Sequence, residues 1–132
     1  YQYNPSKVFL LIGTNDLAQE KSPEEIFDNI KEMIERIQEN RPEAEIYIES
    51  VYPVNETLDT EMVGKRKNED IRSLNDLLQN YCQEEDLVYI DVYEELIDDN
   101  GQLTEEYTKE GLHLNENGYQ VVTDILKEYI ES

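Results

Sequence analysis

The chain has 132 residues, which suits one domain with a hydrophobic core and is short for two. Its net charge of −21 at pH 7 disfavours binding to nucleic acid or to an anionic membrane surface, and no stretch is long and apolar enough for membrane insertion. The single cysteine, Cys82, excludes an internal disulfide, and no Cys/His cluster has zinc-site spacing. With 38% hydrophobic residues the chain reads as globular rather than disordered.

The first half of the chain alternates apolar runs with amphipathic segments. Val8–Ile12 is a continuous apolar run, typical of a strand that is buried on both faces. Ser22-Pro23-Glu24-Glu25 predicts the start of a helix, with a serine cap, a proline in the first position and a glutamate that closes a capping box. Apolar residues then recur at helical spacing as far as Asn40-Arg41-Pro42, and Glu45–Val51 is the second predicted strand.

The second half continues the same alternation. A polar loop over Asn55–Gly64 leads into a second long helix, and Leu87–Val92 is the third predicted strand. A short helical turn over Val92–Ile97, a tight turn over Asp98–Gln102 and a loop with one helical turn over residues 103–115 follow. A last helix is predicted from about Asn115, and its packing residues are Tyr119, Val122, Ile125, Leu126 and Tyr129.

This order of elements predicts an α/β fold. Helices between short apolar strands are crossover connections, which join parallel strands and cover both faces of the sheet. We therefore expect a three-layer α/β/α sandwich with a parallel sheet of three visible strands, formed by residues 1–132 as a single, partial domain. The strand at Val8–Ile12 would have one unpaired edge unless another segment covers it. The chain begins without Met, as expected if its natural beginning is missing.

Polar clusters follow the strands of this predicted sheet. Gly13-Thr14-Asn15-Asp16 comes directly after the first strand, and the only histidine, His113, lies in the loop that follows the third. Because ligands gather beyond the carboxyl ends of parallel strands, both clusters are expected at one edge of the sheet. Without a partner, Gly13–Asp16 would be read as a strand-to-helix turn, and His113 as a surface residue before a helix cap.

Glu110-Gly111-Leu112-His113 is a pattern that suits a catalytic base. A carboxylate three residues before a histidine can accept the imidazole Nδ1–H, which leaves Nε2 as a general base. The side chain of Asn15 could donate to an oxyanion in the same pocket. The alternative for Glu110 is one more solvated acid among 32, and Asp16 is expected to anchor its own turn. No serine suits the role of nucleophile, and Ser50, near the end of a strand, is the least unsuitable.

The two motifs together resemble the SGNH hydrolases, also called GDSL esterases/lipases. The resemblance rests on Gly13-Thr14-Asn15-Asp16, on Glu110-Gly111-Leu112-His113-Leu114-Asn115 about a hundred residues later, and on the helix with Gly118-Tyr119. Residues 21–54 also look like platelet-activating-factor acetylhydrolase-like bacterial members. The resemblance implies a flavodoxin-like fold with five parallel strands, Asn15 as oxyanion donor, His113 as base and Glu110 where the family usually has Asp.

The resemblance also implies what is missing. The family carries its nucleophilic serine in a Gly-Asp-Ser motif after the first strand and a further oxyanion donor in a second glycine motif, and this chain has neither. The sequence therefore looks like the C-terminal two-thirds of such a hydrolase. A missing N-terminal segment, or a second copy of the chain, is expected to cover the open strand edge.

The expected function is hydrolysis of a small-molecule carboxylic ester, with an acetyl or short acyl group on a carbohydrate or lipid, by the complete protein. No metal or organic cofactor is implied. The alternative is a non-catalytic flavodoxin-like binding or signalling domain, such as a receiver domain with Asp16 as its strand-end acid. A receiver needs a lysine at the end of its last strand, where this chain has Val92-Tyr93-Glu94-Glu95. A free-standing, non-catalytic remnant of the fold is the third possibility.

Overall fold

The computed structural model describes residues 7–11, 17 and 21–130. The strands, in chain order, are β1 (Lys7–Leu10), β2 (Glu45–Glu49) and β3 (Val88–Ile90). The helices are α1 (Pro23–Asn40), α2 (Thr60–Val63), α3 (Asn68–Glu85), α4 (Tyr93–Leu96) and α5 (Glu116–Ile130), with a 3₁₀ turn at Glu105–Tyr107. The predicted alternation of strands and helices is confirmed in these ranges, and Ile12, the predicted end of the first strand, lies outside them.

The sheet is parallel throughout, with the strand order β1-β2-β3. Val8 lies opposite Ile46, and Ile48 lies opposite Tyr89, which fixes the register of both pairs. Within the described ranges β1 pairs with β2 alone. The carboxyl ends of the three strands therefore meet at one edge of the sheet, as the crossover connections predict.

Helices cover both faces of the sheet, so the architecture is the predicted three-layer α/β/α sandwich. On one face α1 and α3 pack on β2, and the buried residues of this layer include Ile26, Ile30, Ile34, Ile46, Ile48, Ile71, Leu74 and Leu78. On the other face α5 packs through Val122 against a cluster that includes Tyr47 and Ile90. None of the helices that the structure describes is long and apolar enough to cross a bilayer.

The start of α1 shows why the local sequence specifies this fold. The Ser22 hydroxyl accepts a hydrogen bond from the Glu25 backbone N–H, and the Glu25 carboxylate accepts one from the Ser22 N–H. With Pro23 in the first turn, this is the predicted capping box. The helix therefore begins at the residue that the sequence indicates.

Two predictions about packing are wrong. Tyr119 is 57% exposed instead of packed, because it lies in the first turn of α5, whereas the buried face of that helix centres on Val122. Apolar spacing predicts which side of a helix faces the sheet. It does not predict which turns of the helix extend beyond the sheet. Cys82 lies on the predicted second long helix, where we expect a half-buried position, but it is only 1% exposed, because it belongs to the buried cluster between α3 and the sheet.

Candidate active site

Residues 108–114, here called the His loop, form a closed turn between the 3₁₀ turn and α5. Thr108 and Leu114 pair across an antiparallel bridge that closes the base of the loop. Asn115 then caps α5, because its side-chain oxygen accepts from the Gly118 N–H at 3.0 Å. The backbone N–H of Asn115 also donates to the Tyr107 carbonyl at 2.8 Å. The loop is thus anchored at both ends.

The structure brings Glu110 and His113 together inside this loop. One carboxylate oxygen of Glu110, Oε2, lies 3.3 Å from Nδ1 of the His113 ring. This distance is at the long end of the range for a hydrogen bond. The Glu110 side chain is 25% exposed and that of His113 is 65% exposed. The contact leaves Nε2 as the ring nitrogen available to another group.

The second oxygen of Glu110 organises the backbone of the loop. Oε1 accepts hydrogen bonds from the N–H groups of Leu112, at 3.1 Å, and of His113. The hydrogen bond from the His113 N–H is the main reason that the pKa of Glu110 lies below its ordinary value. Glu110 is therefore a carboxylate at neutral pH, with one oxygen held by the backbone and the other directed at the ring.

The segment that follows β2 supports the Glu110 side of the loop. The Asn55 N–H donates to the Gly111 carbonyl at 2.8 Å, and the Asp59 N–H donates to the Glu110 carbonyl at 3.1 Å. Gly111 has φ +102°, and a Cβ at this position would lie 2.6 Å from the Asn55 carbonyl oxygen. Glycine is therefore required here both by the backbone conformation and by the close approach of a second chain segment.

Two asparagines of α3 hold that segment in place. The Asn75 side chain accepts from the Val51 N–H at 2.7 Å and donates to the Val51 carbonyl at 3.1 Å. Asn68 makes the same pair of hydrogen bonds with Val54, at 2.9 Å and 2.7 Å. Beyond β2, these buried side-chain amides make the backbone hydrogen bonds that a neighbouring strand makes within the sheet. Asn55 consequently reaches the His loop from a segment that buried hydrogen bonds hold in place.

Ser50 has a structural role. It is fully buried, and its Oγ accepts from the N–H groups of Val92, at 2.9 Å, and Tyr93, at 2.8 Å. These bonds fix the start of α4 against the end of β2. A hydroxyl in this position has no access to a substrate, so the least unsuitable serine of the sequence is not a nucleophile.

Asn15, the predicted oxyanion donor, lies outside the described residues together with Gly13, Thr14 and Asp16. The structure shows the contact between Glu110 and His113. The role of Asn15 stays a prediction. Among the residues described, no three His, Cys, Asp or Glu side chains converge in the way that metal ligands would.

Sequence reasoning gave no role to two residues of the site. Asn55 follows a strand, but its sequence position does not indicate that its backbone contacts Gly111. Thr108 is 5% exposed, and its hydroxyl bonds within the His loop. A threonine two residues before an acid is common in sequences and does not indicate a site. The burial of Thr108 in the folded chain is the signal that identifies it.

The fold agrees with comparisons to known proteins. Residues 1–121 match the family model of the GDSL-like Lipase/Acylhydrolase family. The chain belongs to this family, and the resemblance seen in the sequence is confirmed. It also shares 30% identity over 125 residues with an N-acylneuraminate cytidylyltransferase of Escherichia coli, a match that covers 94% of this chain and 28% of that protein.

Two examples represent the solved structures that share this fold. A protein of Streptococcus pneumoniae whose name refers to platelet activating factor is 36% identical, with a TM-score of 0.89. A GDSL-like lipase of Bacteroides thetaiotaomicron is 26% identical, with a TM-score of 0.82. The first match covers 95% of this chain and 59% of the other, and the second covers 97% and 63%. The chain thus spans about three-fifths of each structure.

Proposed function

We propose that the complete protein is a serine esterase to which this chain contributes His113 as general base, Glu110 as the acid that orients it and Asn15 as an oxyanion donor. The contact between Glu110 Oε2 and His113 Nδ1 carries the proposal. A carboxylate at Nδ1 favours the tautomer in which Nε2 has a lone pair, and that lone pair can accept a proton from a serine. Membership of a lipase/acylhydrolase family supports ester hydrolysis.

The reaction follows from these roles. The serine oxygen attacks the acyl carbon while its proton passes to Nε2 of His113, and Glu110 stabilises the imidazolium that forms. The carbonyl oxygen becomes an oxyanion, which accepts a hydrogen bond from the Asn15 amide. The C–O bond to the alcohol then breaks, and the alcohol leaves with the proton from Nε2. Water, activated in the same way, releases the acid and restores the serine.

The nucleophile is proposed to come from a segment that precedes Tyr1 in the complete protein. Two observations support this assignment: the Ser50 hydroxyl is buried and occupied, and the chain spans about three-fifths of the solved structures it resembles. The same segment, or a second copy of the chain, would pair with the outer edge of β1. On this proposal the chain alone is inactive.

The proposed substrate is an acetyl or short acyl ester of a carbohydrate or lipid. The name of the Escherichia coli relative supports a carbohydrate, since an N-acylneuraminate is an acylated sugar. Family membership favours hydrolysis over the alternative of a flavodoxin-like binding or signalling domain.

The test is turnover of p-nitrophenyl acetate by the complete protein, combined with labelling by a fluorophosphonate that reacts with activated serines. We expect turnover and labelling in the complete protein, both abolished in His113→Ala, and neither in residues 1–132 alone. A complete protein without turnover would refute the esterase proposal. Turnover sensitive to a serine inhibitor in residues 1–132 would refute an upstream nucleophile.

A further inference from the structure

We propose that Thr108 is a positioning residue: its hydroxyl joins the half of the His loop that carries Glu110 to the half that carries His113, and so sets the tautomer of the imidazole. The inference deepens the proposed function and rests on it for the use of His113 as a base. The tautomer is measured without turnover, so each proposal can fail separately.

The Thr108 hydroxyl makes two hydrogen bonds across the loop. Oγ1 donates to the His113 carbonyl oxygen at 2.7 Å and accepts from the Gly111 N–H at 2.9 Å. A hydroxyl has one proton to donate, and here that proton is used on the residue that carries the ring. Thr108 is 5% exposed, so water has little access to its hydroxyl.

Thr108 and Glu110 together bind three successive amides. The N–H of Gly111 goes to the Thr108 hydroxyl, and those of Leu112 and His113 go to Glu110 Oε1. The last two of these amides converge on Oε1, as in the concave turns that bind anions through successive N–H groups. In this loop the bound anion is the Glu110 carboxylate, and Thr108 holds the first amide of the series.

The contacts that the segment after β2 makes with the loop act on one half only. Asn55 and Asp59 bind the carbonyls of Gly111 and Glu110, and neither bond reaches His113. The bond from Thr108 fixes the His113 carbonyl relative to Gly111, and hence the direction in which the ring leaves the backbone. Without the hydroxyl, Glu110 would keep its support from the segment after β2, and His113 would keep its N–H bond to Oε1 but lose the bond that fixes its carbonyl, so the ring could turn away from Oε2.

The experiment uses the fact that His113 is the only histidine. In residues 1–132, the ¹⁵N shifts of the imidazole report the tautomer directly at a pH where the ring is neutral. We expect the Nδ1–H form to predominate in the native chain and in Thr108→Ser, which keeps the hydroxyl. Thr108→Val keeps the shape and loses both hydrogen bonds, so the Nδ1–H fraction should fall at least about twofold.

Thr104→Val is the matched control. The Thr104 hydroxyl donates to the Leu96 carbonyl at 2.9 Å, outside the His loop, so the same chemical change should leave the tautomer as in the native chain. In the complete protein, Thr108→Val should lower kcat by about 10- to 100-fold with a smaller change in KM, as expected from a misplaced base.

A folded Thr108→Val chain that keeps the native tautomer would overturn the proposal. If circular dichroism shows that Thr108→Val is unfolded, Thr108→Ser decides: a native tautomer supports the proposal, and a changed one in a folded chain overturns it. If the complete protein has no esterase activity but the predicted tautomer shifts are observed, the proposed function is refuted. The proposal that Thr108 positions His113 in the loop then still stands.

Discussion

Replacing Gly111 with alanine tests the contact that supports the His loop. The new Cβ would lie 2.6 Å from the Asn55 carbonyl oxygen and 3.2 Å from a methyl group of Val63, at a backbone φ of +102°. Such backbone strain costs about 1–3 kcal/mol, and relieving the overlap costs about 1–3 kcal/mol more. Reduced freedom of the unfolded chain offsets about 0.4–1 kcal/mol. We therefore expect a loss of about 3 kcal/mol in the free energy of unfolding.

Gly101→Ala is the matched control, because Gly101 also has a positive φ, +77°, but its Cβ would meet nothing closer than the Arg72 guanidinium at 3.9 Å. This variant should lose only about 1 kcal/mol. Urea denaturation of the two variants and the native chain measures the difference. The imidazole signal of His113 should shift in Gly111→Ala and stay in place in Gly101→Ala. Equal losses of stability in the two variants would refute the close approach to Asn55.

Three further predictions concern other groups. Asn15→Ala in the complete protein should keep the fold and lower kcat by about 10²- to 10³-fold, the usual loss of one oxyanion donor, whereas unchanged turnover would make Asn15 a turn residue. Because the folded-state pKa of Glu110 is lowered, its carboxylate stabilises the fold above the ordinary glutamate pKa and loses this effect as the pH falls through the folded value. Urea midpoints of the native chain and Glu110→Gln should therefore converge in acid, and a constant difference would contradict this linkage. Burial raises the pKa of Cys82 to about 11 from an ordinary 9, so at pH 8 its thiolate fraction should be about 100-fold below that of the unfolded chain. Ellman's reagent should modify Cys82 only as the chain unfolds, and rapid reaction of the native chain would contradict its burial.

The fold could be predicted because its signals are periodic and local. The apolar spacing of α1 and the capping box at Ser22 depend on residues a few positions apart, and each favours the element that forms. The parallel sheet then follows from the order of the elements. The limits of β2 and β3 were less predictable, because the apolar runs at Glu45–Val51 and Leu87–Val92 continue beyond the residues that pair.

The candidate site could be predicted only in part. Glu110 and His113 are three residues apart, so their contact is a local property of the loop. The hydrogen bonds that Asn55 and Thr108 make to the loop depend on which groups come together in the folded chain. Neither residue lies in a sequence pattern with a period or a characteristic spacing. Glycine is necessary at position 111 because the Asn55 carbonyl approaches it closely, and Asn55 lies 56 positions away in the sequence.

Substitutions at position 110 show whether Glu110 orients His113 as a base. In Glu110→Gln the amide oxygen can take the place of Oε1 and accept from the Leu112 and His113 N–H groups, so the loop keeps its shape. The amide NH₂ then faces Nδ1, which must accept a hydrogen bond. The proton of the neutral ring therefore moves to Nε2, where the ring can no longer accept the proton of the serine.

The decisive measurement is kcat of the complete protein with Gln or Asp at position 110. Glu110→Gln should lower kcat by about 10²- to 10⁴-fold, as when the acid of a triad becomes an amide. Glu110→Asp keeps the charge and the acceptor and changes only the reach, so it should stay within about tenfold of the native rate. Equal rates for the two variants, both near that of the native protein, would contradict the role of Glu110.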